Sequence, residues 1–436
     1  MSSDTTAIAS AGASDEDGRL FARISWKFIP FIMLCYLFAY IDRVNVSFAK
    51  ISMAKDLQFS DSVYGFGASI FFIGYFFLEV PSNLILDRVG ARLWLARIMI
   101  SWGAISCATL FVQGEVSFYI LRFLLGVAEA GFFPGIIYFL TTWYPSRLRG
   151  RIMAALICAI PISGLIGGPV SGWLLDALHQ VGGLKGWQWL FLVEGFPSIF
   201  LGVACLFILR DGPDDAEWLS PADRERLKQI KVDEAHATPG HSFRDALMSP
   251  ALWKLTFIYF SLGAGFLGIA FWMPTLLKEA GAGSNTMIGL LSAIPHLFSI
   301  VVIIGAGWSS DRFRERRLHL VVPILAGALG IVIAVKSSGD LTTVLIGLTM
   351  GVAGISSAIA TFWTLPGLVL GAPALAGGLA LINSALALGG FAAPFAIGWL
   401  RDHVVDGGMV ALHTLAAILV LGAVMVLTFS SRVVNR

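Results

Sequence analysis

Runs of about twenty apolar residues, separated by short clusters of charged residues, glycine and proline, recur along the whole chain. They fall near residues 26–49, 62–85, 94–112, 117–141, 150–175 and 187–209, then near 251–277, 286–308, 318–336, 341–365, 375–400 and 409–430. A helix needs roughly 20 apolar residues to cross a bilayer, so each run predicts a transmembrane helix. The polar stretch 210–250 divides them six and six. The expected architecture is an all-α polytopic membrane protein: a tail at 1–25, six-helix bundles at 26–209 and 251–430 joined by that linker, and a tail at 431–436. Within the linker, Ser220-Pro221-Ala222-Asp223 followed by ERLKQI predicts a short N-capped surface helix. His236 and His241 read as solvated loop residues.

Composition removes the alternatives. Of 436 residues, 57% are hydrophobic and 13% charged, with a mean hydropathy of +0.79, against roughly 25% charged in soluble domains. A water-soluble enzyme, a disordered chain and a coiled coil are excluded. Residues 1–25 lack the apolar core of a secretory signal peptide. Cys35, Cys107, Cys158 and Cys205 fall in separate apolar runs without metal-ligand spacing and read as small buried hydrophobes. The net charge of +2 says nothing by itself about partners; those expected are membrane lipid and a small solute, with no nucleic acid. If both termini share a side, that side carries 22 of the 30 Lys and Arg residues and the other carries six. The positive-inside rule then places both termini in the cytoplasm.

The halves echo each other. Asp87-Arg88-Val89-Gly90-Ala91-Arg92 has a counterpart in Asp311-Arg312-Phe313-Arg314, 224 residues on. Independently, Gly172-Trp173-Leu174-Leu175-Asp176 returns as Gly398-Trp399-Leu400-Arg401-Asp402 at an offset of 226. Six-plus-six repeats with a site at their interface are a transporter architecture.

Six Asp, Glu or Arg residues fall well inside the predicted spans, away from their ends: Asp42, Arg43, Glu79, Arg122, Glu129 and Glu194. Each costs about 2.5–3.5 kcal/mol at a bilayer centre, so such groups face a cavity or pair with one another. All six are in the first half. Arg43 and Arg122 lie at similar depth, and their planar forks suit a shared anion; the alternative is that they only neutralise Asp42 and Glu129. Adjacent Asp42 and Arg43 project about 100° apart on a helix. Arg122 and Glu129 share a face but lie about 10.5 Å apart along the axis, so each seeks a partner elsewhere. Asp42 and Glu129 are candidate proton carriers, with static charge pairing as the alternative. Glu79 is expected to cluster with the loop arginines, and Glu194 to make a helix–helix contact.

Among neutral residues, Tyr40 and Tyr75 are candidate ligand contacts, with Tyr36 on the Arg43 side of its helix. In the second half the candidates are Tyr259, Trp363, Thr364, Asn383 and Ser384. Asn383 leads, because a buried amide needs partners. His296 reads as structural. Gly164-Leu165-Ile166-Gly167-Gly168-Pro169 lies mid-membrane and reads as a close-packing segment rather than a phosphate loop.

These motifs resemble the major facilitator superfamily, and within it the anion:cation symporter family. The carriers of the resemblance are the Asp87–Arg92 loop (with Asn83 where the superfamily's leading glycine usually stands), YIDRVN at 40–45, GYFFLEVPSN at 74–83, RFLLGVAEAGFFPG at 122–135, WQWLF at 187–191 with Glu194-Gly195, FW-x-LP at 362–366 and ALINS at 380–384. Members are mostly proton-coupled importers of organic anions such as tartrate, phthalate and hexonates, related to sialin and the vesicular glutamate transporters. The resemblance implies that Arg43 and Arg122 bind the anion while Asp42 and Glu129 carry protons. It departs at Ile160, where sugar-acid members tend to have a polar residue. That departure favours a smaller or aromatic acid.

The sequence thus reads as a monomeric importer of a small carboxylate, tartrate-like or aromatic, in a bacterial inner membrane. Its contacts would be Arg43, Arg122, Tyr40, Tyr75, Asn383 and Trp363, its proton carriers Asp42 and Glu129, and its gating loops Asp87, Arg88, Gly90, Arg92 with Asp311 and Arg312. No cofactor or metal is expected beyond the coupling proton. The remaining alternatives are an exporter or exchanger, and a membrane anion sensor without flux.

Overall fold

The computed structural model describes residues 2–235, 247–337, 339–370 and 372–435; His236 and His241 lie outside them. These residues form helices and turns, with no strand among them. Twelve helical spans are long and apolar enough to cross a membrane.

The first half runs α1 (Ser2–Leu57), α2 (Asp61–Val89), α3 (Ala91–Ala108), α4 (Glu115–Glu129), α5 (Phe132–Trp143), α6 (Ser146–Ile157), α7 (Ala159–Ala177) and α8 (Gly186–Ile208). Linker helix α9 (Pro221–Ala235) follows. The second half comprises α10 (Pro250–Glu279), α11 (Asn285–Phe313), α12 (Leu318–Lys336), α13 (Leu341–Phe362), α14 (Pro366–Val369), α15 (Ala372–His403) and α16 (Gly407–Leu427).

Helix α1 starts well before its apolar run. Leu20, Phe21 and Ile24 are buried, and Asp17–Arg226 and Arg23–Asp223 ion pairs, both at 3.0 Å, hold the segment to α9. Helix α9 begins as its sequence requires, with Ser220 Oγ accepting the Asp223 backbone N–H at 3.1 Å.

The fourth span is broken. Ala130 leaves helical geometry at ψ 129° and Gly131 adopts φ +88°, a left-handed turn open to glycine. Ser82 Oγ donates to the Ala130 carbonyl at 2.7 Å, and a Cβ on Gly131 would lie 2.2 Å from Ser82 Oγ. Glu129 is therefore the last residue of α4.

The halves meet where α2 crosses α15 and α7 crosses α11. Both crossings are backbone-close. A Cβ on Gly65 would sit 2.6 Å from the Pro394 carbonyl oxygen, and one on Gly289 would sit 2.2 Å from that of Gly168. Gly164 packs as tightly, its Cβ position 2.3 Å from the buried His296 ring.

With an even number of spans, both termini lie at one end of the bundles. The opposite, far end is sealed by polar contacts between the halves. Asp61 takes Lys50 Nζ at 2.7 Å and Arg401 Nε at 2.6 Å, and Arg401 also pairs with Glu279. The Lys50 ammonium lies 3.8 Å from the centroid of a Trp272 ring. Tyr64 Oη donates to the Phe271 carbonyl at 2.7 Å.

Candidate functional site: a cavity between the bundles

Between the halves lies a cavity lined by residues of both bundles and open at one mouth. Tyr36, Tyr40 and Arg43 reach it from one face of α1, and Phe71, Phe72 and Tyr75 from α2. Tyr259 and Phe266 contribute from α10, with Trp363 just beyond α13 and Asn383 from α15. A second cavity shares Phe133, Ile157, Ile303 and Trp363 with the first. It runs past Gly150 to Asp311 and Arg316 at the termini end. The bundles are thus parted on the termini side and shut on the far side.

Among the described residues, Arg43 is the only cationic one lining the central cavity. Its guanidinium pairs with Glu129 and lies 5.3–5.7 Å from the ring centroids of Tyr40, Phe71 and Tyr75. Its Nε has no hydrogen-bond partner. The helix break after Glu129 leaves that carboxylate at the end of α4, aimed at α1.

The other predicted groups divide between this cavity and the interior of the first bundle. Arg122 is 1% exposed and absent from the cavity lining. Its Nε donates to the Gly67 carbonyl at 3.3 Å, and its guanidinium lies 5.2 Å from the centroid of the Phe71 ring that Arg43 also touches. The two arginines share a ring rather than an open site. Asp42 is buried on a different flank of α1, accepting from Trp102 Nε1 at 2.9 Å, Ser106 Oγ at 2.9 Å and Ser198 Oγ at 2.8 Å. The helical offset between adjacent residues separates it from Arg43.

Tyr40, Tyr75, Trp363 and Asn383 all line the cavity, and Trp363 Nε1 donates to Tyr259 Oη at 3.1 Å. Glu79 departs from expectation. Instead of joining the loop arginines it accepts from Asn383 Nδ2 at 3.2 Å, because its face of α2 looks across the interface to α15. Glu194 makes the expected interhelical contact, accepting from Ser171 Oγ at 2.6 Å. Thr364 spends its hydroxyl on the Thr361 carbonyl at 2.8 Å and faces the outer cavity.

The motif loops lie at the termini end. Asp87 and Arg88 are exposed, Gly90 has φ +88°, and the Arg92 backbone N–H donates to Asp211 at 2.8 Å. Asp311 pairs with Arg316 at 2.6 Å, while Arg312 is exposed. Among the described residues no group of three or more His, Cys, Asp or Glu side chains is placed to hold a metal.

Sequence reasoning missed the aromatic wall of Phe71, Phe72, Phe133 and Phe266. Phe71 stands four residues before Tyr75, so the i,i+4 spacing that pairs side chains on one helix face marks it.

Comparison with known proteins matches this architecture. The Major Facilitator Superfamily profile covers residues 32–394. The chain is 44% identical over 419 residues to the "Putative metabolite transport protein NicT" of Pseudomonas putida, covering 96% of each chain. It is also 44% identical over 421 residues to a "Putative tartrate transporter" of Agrobacterium vitis, again covering 96% of each. The inward open structure of the xylose transporter XylE from E. coli shares the fold, with a TM-score of 0.73 at 14% identity, over 93% of this chain and 96% of that one. The matching family and these relatives are transporters, not enzymes. The chain belongs to the major facilitator superfamily and is a multi-pass membrane transporter.

Proposed function

We propose that this transporter imports a small organic anion together with protons, as a monomer in a bacterial inner membrane with both termini in the cytoplasm. The observation that carries the reading is Arg43. It is the single cation that the described residues bring to a cavity between two bundles, and it is held by a carboxylate on another helix. Guanidinium stays charged when buried and matches a carboxylate bidentately. An arriving anion competes with Glu129 for that fork, and a proton on Glu129 removes the competition. Substrate and proton then load together. Asp42, caged by three donors, is the second candidate carrier. The Lys and Arg asymmetry supports the orientation, which makes the present state inward-facing. The exposed loops around Asp87–Arg92 and Asp311–Arg312 would meet when the bundles rock to the opposite state. Relatives described as tartrate and metabolite transporters support an organic-acid cargo.

The test is accumulation of labelled organic acids in proteoliposomes under an imposed inward proton gradient. Uptake above equilibrium that collapses with a protonophore supports symport. Flux that is indifferent to the gradient identifies an exchanger, and binding without flux a sensor.

A further inference from the structure

We infer that the cargo is an aromatic monocarboxylate rather than a dicarboxylate or a polyhydroxylated acid. This rests on the organic-anion reading above and narrows it.

The chemistry of the wall carries the inference. Of the nineteen residues lining the central cavity, nine are Tyr, Phe or Trp, and most of the rest are aliphatic. One cation, Arg43, is available, and its unpartnered Nε leaves a donor for one carboxylate. The other buried arginine, Arg122, is outside the lining. A second carboxylate on the cargo would be desolvated against rings and isoleucines, with no second cation among the lining residues. An unpaired buried charge is strongly unfavourable.

The several hydroxyls of a sugar acid would meet only the scattered hydroxyls of Tyr36, Tyr40, Tyr75, Tyr259 and Ser356 in an otherwise apolar wall. Asn383 already donates to Glu79, and Tyr259 already accepts from Trp363. Ile160, Ile157 and Ile359 offer a sugar acid nothing. A flat ring, by contrast, gains offset or edge-on contacts with aromatic walls. Tyr36 and Phe133 present stacked rings with centroids 5.5 Å apart, and Tyr259 meets Trp363 edge-on at 5.1 Å. The geometry suits one carboxylate on Arg43 with a six-membered ring lying toward Tyr259 and Trp363.

The experiment compares 4-hydroxybenzoate, L-tartrate and D-gluconate on the full-length purified protein. Binding is read by competition and thermal shift in detergent, and transport by counterflow in proteoliposomes. The expected result is that 4-hydroxybenzoate binds at least tenfold more tightly than either polyhydroxylated acid and alone drives counterflow. Equal or tighter binding of tartrate or gluconate, with counterflow, overturns the aromatic assignment while leaving organic-anion transport standing. If none of the three binds or exchanges, both readings fall.

Discussion

Asp402, at the end of α15, accepts the backbone N–H of Ser62, in the first turn of α2, at 2.6 Å. The other half repeats the contact: Asp176, at the end of α7, accepts the backbone N–H of Thr286 in α11 at 2.7 Å. These aspartates close the Gly-Trp-Leu-x-Asp echo, so one repeated motif supplies two pseudo-symmetric latches. Each places a carboxylate on the amino terminus of a helix in the opposite bundle, where donors and dipole favour it.

Losing a cap of this kind costs about 1 kcal/mol, a factor of about five in an equilibrium. Asp402→Ala and Asp176→Ala should therefore each shift the conformational balance toward far-end opening. Spin-label distances between Lys55 and Gly283, in a cysteine-free background, should lengthen in each variant and most in the double variant. Unchanged distributions would show that the latches do not hold this end.

The Lys50–Asp61–Arg401 cluster makes a second, separable prediction. Lys50 is buried, with Asp61 as its carboxylate partner. Asp61→Asn should lower the thermal unfolding midpoint markedly, since stranding a buried charge costs about 3–5 kcal/mol. The double variant Lys50→Met with Asp61→Asn should recover much of that loss. No recovery would mean the pair is not energetically coupled.

At the anion site, Arg43→Lys keeps the charge but loses the fork. Affinity should fall at least tenfold while membrane insertion and the unfolding midpoint are retained. Arg122→Lys should cost less affinity and more stability, because its guanidinium serves the α2 backbone rather than the cavity wall. Isothermal titration of both variants decides the matter, and equal losses would place both arginines on the ligand.

Coupling has its own signature. Glu129→Gln and Asp42→Asn mimic permanently protonated carriers. Each should preserve counterflow, which needs only the loaded form to reorient, and lose gradient-driven accumulation, which needs proton release. Normal accumulation in both variants would remove these carboxylates from the coupling mechanism.

Much of this molecule was legible in its sequence, because a bilayer demands long apolar helices and makes every charge within them conspicuous. The twelve spans and the placement of Arg43, Tyr40, Tyr75, Trp363 and Asn383 at one cavity follow from that constraint. What escaped depended on helix rotation and interruption. Similar depth put Arg122 beside Arg43, but depth does not fix the face, and its side chain turns toward the Gly67 carbonyl. Glu79 was assigned by sequence distance to the loop arginines, whereas its rotational position sends it to Asn383. The break at Gly131 carried a readable signal, a glycine followed by Pro134, the common punctuation of a helix stop. The long, mostly apolar run around it masked that signal.

The glycine crossings of α2 with α15 and α7 with α11 have a mechanical consequence. Where backbone meets backbone, as at Gly65 with Pro394 and Gly289 with Gly168, fewer side-chain knobs must leave their holes for one bundle to roll on the other. The two crossings act as smooth bearings about a shared axle. An alanine at either bearing would jam the rotation in both directions while leaving the cargo pocket intact.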